Sequence, residues 1–311
     1  MRCPSCDHDN RAERRFCAEC GAALATICPA CGASHEPGEK FYGGCYERLR
    51  PGAAAPGAAA TATTTSILRP RESDGTASIR AYRDEVLEAR YKRLRELGQA
   101  VDWKGGSFES FDLRPFLEEV LPTLTFSVPH PRALEYGTGT GPGACYLAAR
   151  GFEVDAIDVS PTAIELARRF ASERALRIRF WVEDITALSV REPAYDLIVD
   201  NFCFHNLVTD RERTEALGRV RTALKADGYF LMGCSVFRRN RDYGVDFRDA
   251  RTGIVYHPVG SRYQHALWRR AQWYVPVRRH PTAEVLCAEL ENAGFGIIRR
   301  AAGRLVCRVM E

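Results

Sequence analysis

From Arg132 onward, short apolar runs alternate with stretches whose apolar residues recur at helical spacing. Ala133–Tyr136, Glu153–Ile157, Ile178–Val182, Leu197–Asp200 and Tyr229–Cys234 read as strands. Gly143–Arg150, Pro161–Ala175 and Asp210–Leu224 read as helices between them, and Asp227-Gly228 as a turn. Ser160 is placed to cap the second helix, with Pro161 in its first turn. A last helix, Pro281–Ala293, stops at Gly294, and the C-terminal segment reads as a hairpin. Repeated strand–helix units imply an α/β fold: a mostly parallel sheet covered on both faces, with a C-terminal antiparallel hairpin. Upstream, Ile79, Tyr82, Val86, Leu94 and Leu97 predict one apolar stripe on a helix closed by Gly98.

The pattern fails between 51 and 77, where alanine, threonine, glycine and proline replace large apolar side chains. Such a stretch cannot repay the entropy of ordering and reads as a flexible linker. It separates a cysteine-rich segment, 1–50, from a larger domain, 78–311, in which 235–280 is an insertion. A net charge of +4 does not by itself mark a nucleic-acid binder. No apolar run is long enough to span a bilayer and no signal core opens the chain, so a cytoplasmic protein without membrane contact is expected. Cys145, Cys203, Cys234, Cys287 and Cys307 sit singly in apolar surroundings, where buried unpaired thiols are expected.

Candidate chemistry concentrates at Leu134-Glu135-Tyr136-Gly137-Thr138-Gly139-Thr140-Gly141, between the first strand and its helix. Alternate glycines let the backbone turn sharply and pass close to a ligand. The GxGxxG spacing of dinucleotide proteins is not met, because Pro142 stands three places past Gly139. Asp158 ends the second strand, Phe180-Trp181-Val182-Glu183-Asp184-Ile185 ends the third, and Tyr195-Asp196-Leu197-Ile198-Val199-Asp200-Asn201 forms the fourth. Asp155 and Glu183 read as solvated strand-end charges.

In this order and at these intervals, residues 133–231 resemble the class I S-adenosylmethionine-dependent methyltransferases, whose fold is Rossmann-like. The resemblance implies that Glu135, Gly137, Thr138, Gly139 and Gly141 border the cofactor's methionine end. It further implies that Asp158 and Val159 meet the ribose, that Asp184 and Ile185 meet the adenine, and that Asp200 and Asn201 lead to the transfer face. Methyl transfer from a sulfonium is an in-line displacement that needs a base only if the acceptor must lose a proton. His205, in the Asn201–Asn206 segment expected to line the acceptor pocket, is the candidate base, or equally a packing residue.

The insertion carries ten arginines and three aspartates with interspersed tyrosine, tryptophan and phenylalanine. In this family such insertions form substrate lids. The composition suits an anionic or planar small molecule, and also RNA. Asp200-Asn201-Phe202-Cys203 lacks the Asn/Asp-Pro-Pro-Tyr pattern of many base-modifying relatives, which favours a small-molecule acceptor over RNA.

Cys3-Pro4-Ser5-Cys6 and Cys17-Ala18-Glu19-Cys20 have the spacing of a tetrahedral zinc site. An offset of 25 maps Cys3, Cys6 and Cys20 onto Cys28, Cys31 and Cys45. This repeat resembles the double zinc ribbon, but Tyr42 replaces the cysteine that would match Cys17. One structural zinc is expected. A second would need His35 or water beside Cys28, Cys31 and Cys45. Ribbons of this kind dock protein or RNA; a non-catalytic ribbon-bearing scaffold is the alternative to an enzyme.

Overall fold

Thr26–Ile27 (β1) and Ser34–His35 (β2) pair antiparallel in the first of two units into which the chain divides, Met1–Pro70 and Arg71–Glu311. The computed structural model describes residues 8–9, 19, 26–27, 34–35, 76–98, 108–190, 192–260, 263, 265–269 and 271–310. The expected zinc ligands Cys3, Cys6, Cys17, Cys20, Cys28, Cys31 and Cys45, and the linker to residue 75, lie outside the described residues.

The second unit begins with helix α1 (Thr76–Glu96) and a short helix α2 (Arg114–Val120). The parallel strands follow: β3 (Arg132–Tyr136), α3 (Pro142–Ala148), β4 (Glu153–Asp158), α4 (Pro161–Glu173), β5 (Ile178–Val182), β6 (Tyr195–Asn201), α5 (Asp210–Ala223) and β7 (Leu224–Gly233). A four-stranded antiparallel insertion comes next, with β8 (Phe247–Arg248), β9 (Ile254–Val259), β10 (Leu267–Arg269) and β11 (Gln272–Arg279) in the order β10-β11-β9-β8. Helix α6 (Ala283–Asn292) and the hairpin β12 (Phe295–Ala301) and β13 (Arg304–Val309) close the chain. The main sheet runs β12-β13-β7-β6-β3-β4-β5. Its last five strands are parallel and the hairpin is antiparallel, the Rossmann-like architecture expected.

Strand residues feed both faces in turn. Ala133, Leu197 and Val199 join the core under α3 and α4; Leu134, Ile198 and Phe230 join the core under α5 and α6. Each fully buried leucine or isoleucine contributes about 1.5–3 kcal/mol relative to exposure. Ser160 caps α4 by accepting from Ala163 N–H, and Thr209 and Glu212 form a reciprocal capping box on α5. Among the described residues no helix is long and apolar enough to cross a membrane. Cys145, Cys234, Cys287 and Cys307 are buried free thiols, and Cys203 is a half-buried one.

Several local expectations need correction. Val86 and Leu97 are exposed, and the inward face of α1 instead carries Thr76, Arg83 and Tyr91. The stripe was read from apolar residues alone, whereas an arginine supplies the central buried contact. Strand β7 starts at Leu224, and Asp227-Gly228 falls within its irregularity, where the register opposite β6 jumps from Leu224 to Tyr229. Asp155 is no solvated charge: it is buried, ion-paired to Arg179 at 2.5 Å, and accepts from the Tyr195 hydroxyl at 2.9 Å. Glu183 is half-buried and staples its loop by accepting from Trp181 Nε1 at 2.7 Å and Ser189 N at 3.0 Å.

Candidate functional site

The crossover from β3 to α3 is a left-handed path that side chains other than glycine rarely follow. Gly141, with φ of +88°, is the N-cap of α3, and Pro142 starts the helix where no amide is needed. Gly137, with φ of +63°, lies so close to Cys203 that an added Cβ would fall 2.3 Å from the Cys203 Cβ.

Two buried carboxylates pin this loop. Glu135 accepts from Thr138 Oγ1 at 2.5 Å, from Asn201 Nδ2 at 3.2 Å and from the Ala144 amide. Burial raises its pKa to about 7 against those bonds. Glu135 was expected to face the cofactor's cationic end; it is fully buried, and its oxygens are turned onto the loop itself. Asp158 accepts from Gly139 N and Ser160 N, both at 2.9 Å, and burial raises its pKa to about 6. Asp200 turns the chain out of β6 by accepting from Cys203 N at 2.8 Å and Phe204 N at 3.0 Å. Its pKa is raised to about 7, again by burial.

Helix α1 lies across the carboxyl ends of these strands. Glu88 accepts from Ser160 Oγ and Thr162 Oγ1, both at 2.6 Å. Tyr91 approaches Gly139 so closely that an added Cβ there would meet its hydroxyl at 2.9 Å. Arg83 donates to Asp184 at 3.1 Å and to the fully buried Glu212 at 2.9 Å. Asp184 also accepts from Thr186 N at 2.8 Å, and Ile185 is buried beside it. The cavity left at the glycine loop measures about 70 Å³, with Tyr91, Phe111, Gly137, Gly139, Asn201 and Phe202 in its wall. Ligand pockets usually run to ~300 Å³ or more, so the cavity as it stands is smaller than a nucleoside-sized ligand needs.

Gly137, Thr138, Gly139 and Asn201 therefore share one cavity. Glu135 and Asp200 stand behind the loop, Asp158 lies beside it at the tip of β4, and Val159 is half-buried next to Asp158. Asp184 and Ile185 lie under α1. His205 sits on a 3-10 turn, Phe204–Asn206, with its ring 6.3 Å from that of Phe202. Burial first, then neighbouring arginines, depress its pKa to about 3, so it is neutral at ordinary pH and a poor base. Sequence reasoning missed Arg83, Tyr91 and Phe111. The first two share a helical face with Arg80 and Leu87, but that face is legible only when arginine is admitted as a buried residue.

A parallel sheet with a glycine crossover, and carboxylates at the tips of its neighbouring strands, defines a nucleotide-cofactor domain. A family model described as a methyltransferase domain matches residues 133–228, and one described as a double zinc ribbon matches residues 3–46. The chain is 30% identical over 112 residues to an uncharacterised methyltransferase of Schizosaccharomyces pombe, covering 36% of this chain and 77% of that protein. It is 30% identical over 115 residues to a 2-heptyl-1-hydroxyquinolin-4(1H)-one methyltransferase of Mycobacteroides abscessus, covering 37% of this chain and 51% of that one. A Burkholderia thailandensis 1,6-didemethyltoxoflavin-N1-methyltransferase structure shares the fold, with a TM-score of 0.52, 19% identity, and coverage of 83% of this chain and 94% of that one. The chain belongs to the class I S-adenosylmethionine-dependent methyltransferase family and has an N-terminal double zinc ribbon domain. It spans about half the length of the first curated relatives it matches.

Proposed function

We propose that residues 71–311 transfer a methyl group from S-adenosylmethionine to a small-molecule acceptor. The observation that carries this reading is the Gly137–Gly141 crossover clamped between Glu135 and Asp158. Each Asp158 oxygen takes one backbone N–H and keeps a lone pair for a hydroxyl, which suits a ribose diol. Asp158 and Val159 would hold the ribose, Asp184 and Ile185 the adenine, and Gly137, Thr138, Gly139 and Asn201 the methionine end. Gly141 sets the turn, while Glu135 and Asp200 brace it from behind. The bound cofactor supplies an electrophilic methyl on a sulfonium; the protein aligns the acceptor and keeps water out. The Mycobacteroides relative, named for 2-heptyl-1-hydroxyquinolin-4(1H)-one, supports a small-molecule acceptor, and the Burkholderia fold neighbour is named for 1,6-didemethyltoxoflavin.

The ribbon would hold one structural zinc through Cys3, Cys6, Cys17 and Cys20 and dock a partner; Cys28, Cys31 and Cys45 make an incomplete second set.

Calorimetric titration with S-adenosylhomocysteine tests the cofactor assignment. Two hydrogen bonds to a charged acceptor are worth roughly 1.5–3 kcal/mol each, so Asp158→Ala is expected to weaken binding by about 100-fold or more. No heat with the wild-type chain, or equal affinity in the variant, overturns the assignment.

A further inference from the structure

Beyond the Phe202 wall of the crevice lies a group of rings that do not line the glycine-loop cavity. The His205 ring is 5.8 Å from the His280 ring, which lies 5.6 Å from the Tyr243 ring. His205 follows β6, whereas His280 follows β11 of the insertion and is 1% exposed. The Tyr243 hydroxyl and His280 Nδ1 are 3.2 Å apart. When that hydroxyl donates, His280 Nε2 carries the ring hydrogen.

Three polar atoms here are left over. His205 Nδ1, His280 Nε2 and Arg278 Nε are all buried, and none has a hydrogen-bond partner among the described residues. Buried polar groups are ordinarily paired, and two unpaired ring nitrogens on histidines 5.8 Å apart, with Arg278 bearing on both, leave room in the bonding for a ligand atom. The charges that bear on the two rings are those of arginines. Arg241, Arg248 and Arg278 bear on His280, and Arg213, Arg241 and Arg278 bear on His205. Arg213 is matched by Glu289, and Arg278 by Asp246, which also meets His257. Arg241 and Arg248 form no ion pair among the described residues. Burial and these cations hold His205 at about 3 and His280 at about 2, so both rings are neutral and neither takes up an acceptor's proton at neutral pH.

We propose that this cluster seats an ionised oxygen of the methyl acceptor, with His205 and His280 as its hydrogen-bond partners and Arg241 and Arg278 as its charge partners. The acceptor class is thus a molecule bearing a hydroxyl acidic enough to arrive as an enolate or phenolate. An amine cation is disfavoured by the same arginines. The proposal rests on the methyltransferase reading of the adjoining crevice and specifies its acceptor side.

The test uses the full chain with 4-nitrophenol and its neutral methyl ether, 4-nitroanisole, and titrates S-adenosylhomocysteine in parallel. The ionised fraction of nitrophenol is read by its absorbance. Expected is a lowering of the bound probe's pKa by about one unit, a roughly tenfold preference for the anion, with nitroanisole at least about tenfold weaker. His280→Leu should abolish the preference and Arg241→Ala, at an exposed position, should reduce it severalfold, both with S-adenosylhomocysteine affinity unchanged. Equal binding of the two probes to wild type overturns the proposal, as does an undiminished preference in Arg241→Ala, and the cofactor assignment survives either result. An intact anion preference without S-adenosylhomocysteine binding removes the methyltransferase reading and the acceptor role with it.

Discussion

Replacing Gly143 by alanine tests the packing behind the glycine loop, because its expected sign is the reverse of the usual one. Within a helix, glycine to alanine ordinarily stabilises by about 0.5–1 kcal/mol. Gly143 lies in α3 with an ordinary helical φ, but an added Cβ would stand 1.9 Å from Glu135 Oε1 and 2.8 Å from its carboxyl carbon. Glu135 cannot swing aside cheaply, since it is fully buried and held by Thr138, Asn201 and the Ala144 amide. Overpacking costs about 1–3 kcal/mol, and weakening two or three of those bonds costs about 0.5–1.5 kcal/mol each. After the helix gain is subtracted, roughly 3 kcal/mol of destabilisation remains, about 6–12 °C in melting temperature for a domain of this size. Gly218→Ala is the control: it lies in α5 with nothing within 4 Å of its would-be Cβ, so it should raise the melting temperature by a few degrees. Scanning calorimetry of both variants, and of Gly143→Ala combined with Glu135→Ala, isolates the contact. Parallel behaviour of Gly143→Ala and Gly218→Ala, or an unchanged Gly143→Ala penalty once Glu135 is gone, refutes the reasoning.

Three further outcomes are expected. Arg83→Ala leaves Glu212 buried without its closest cation, at a cost of about 3 kcal/mol, and hydrogen exchange over 76–98 should rise while β3 stays protected; unchanged exchange there would show that Arg83 does not fasten α1. Asp200→Asn keeps the acceptor for Cys203 N and Phe204 N but cannot ionise. Because burial raises the Asp200 pKa to about 7, the folded state holds its proton more tightly than the unfolded state does, and that contribution is lost as pH climbs from about 4 to about 7. The melting temperature of Asp200→Asn relative to wild type should therefore rise across this window and level off above it; a flat or falling difference argues against a buried charge. Finally, metal analysis should find one zinc per chain, lost in Cys3→Ser, with S-adenosylhomocysteine affinity unaltered; two zinc ions would show that Tyr42 does not disable the second set.

Legibility followed the physical origin of each signal. Strands β3 to β6 were readable within two residues at either end, because β3, β4 and β6 are buried on both faces while the edge strand β5 still carries a short run of large apolar residues. The caps at Ser160 and Gly294 were readable because a helix end needs a specific partner or a left-handed residue. Asp158 was readable as a strand-tip carboxylate. The inward turn of Glu135 was not, since nothing local records that Gly143 leaves room for it. Arg83 was hidden for a similar reason: its partners Asp184 and Glu212 lie more than 100 residues away. Short α2 and the separate sheet of the insertion also escaped, because 235–280 mixes arginine with aromatic residues and has no clean period. There Tyr256 and Tyr274 each pack on Phe247, with ring centroids 4.9 Å apart, as a half-buried aromatic group.

The helix fastened by Arg83, Glu88 and Tyr91 over the strand tips stands where a nucleotide held by the glycine loop would come and go. If that helix stands aside in about one molecule in a hundred, the apparent affinity is about a hundredfold poorer than that of the opened crevice. On the proposed function, spent cofactor would wait on the same motion, and the frequency with which a helix lifts would then bound the pace of repeated turnover.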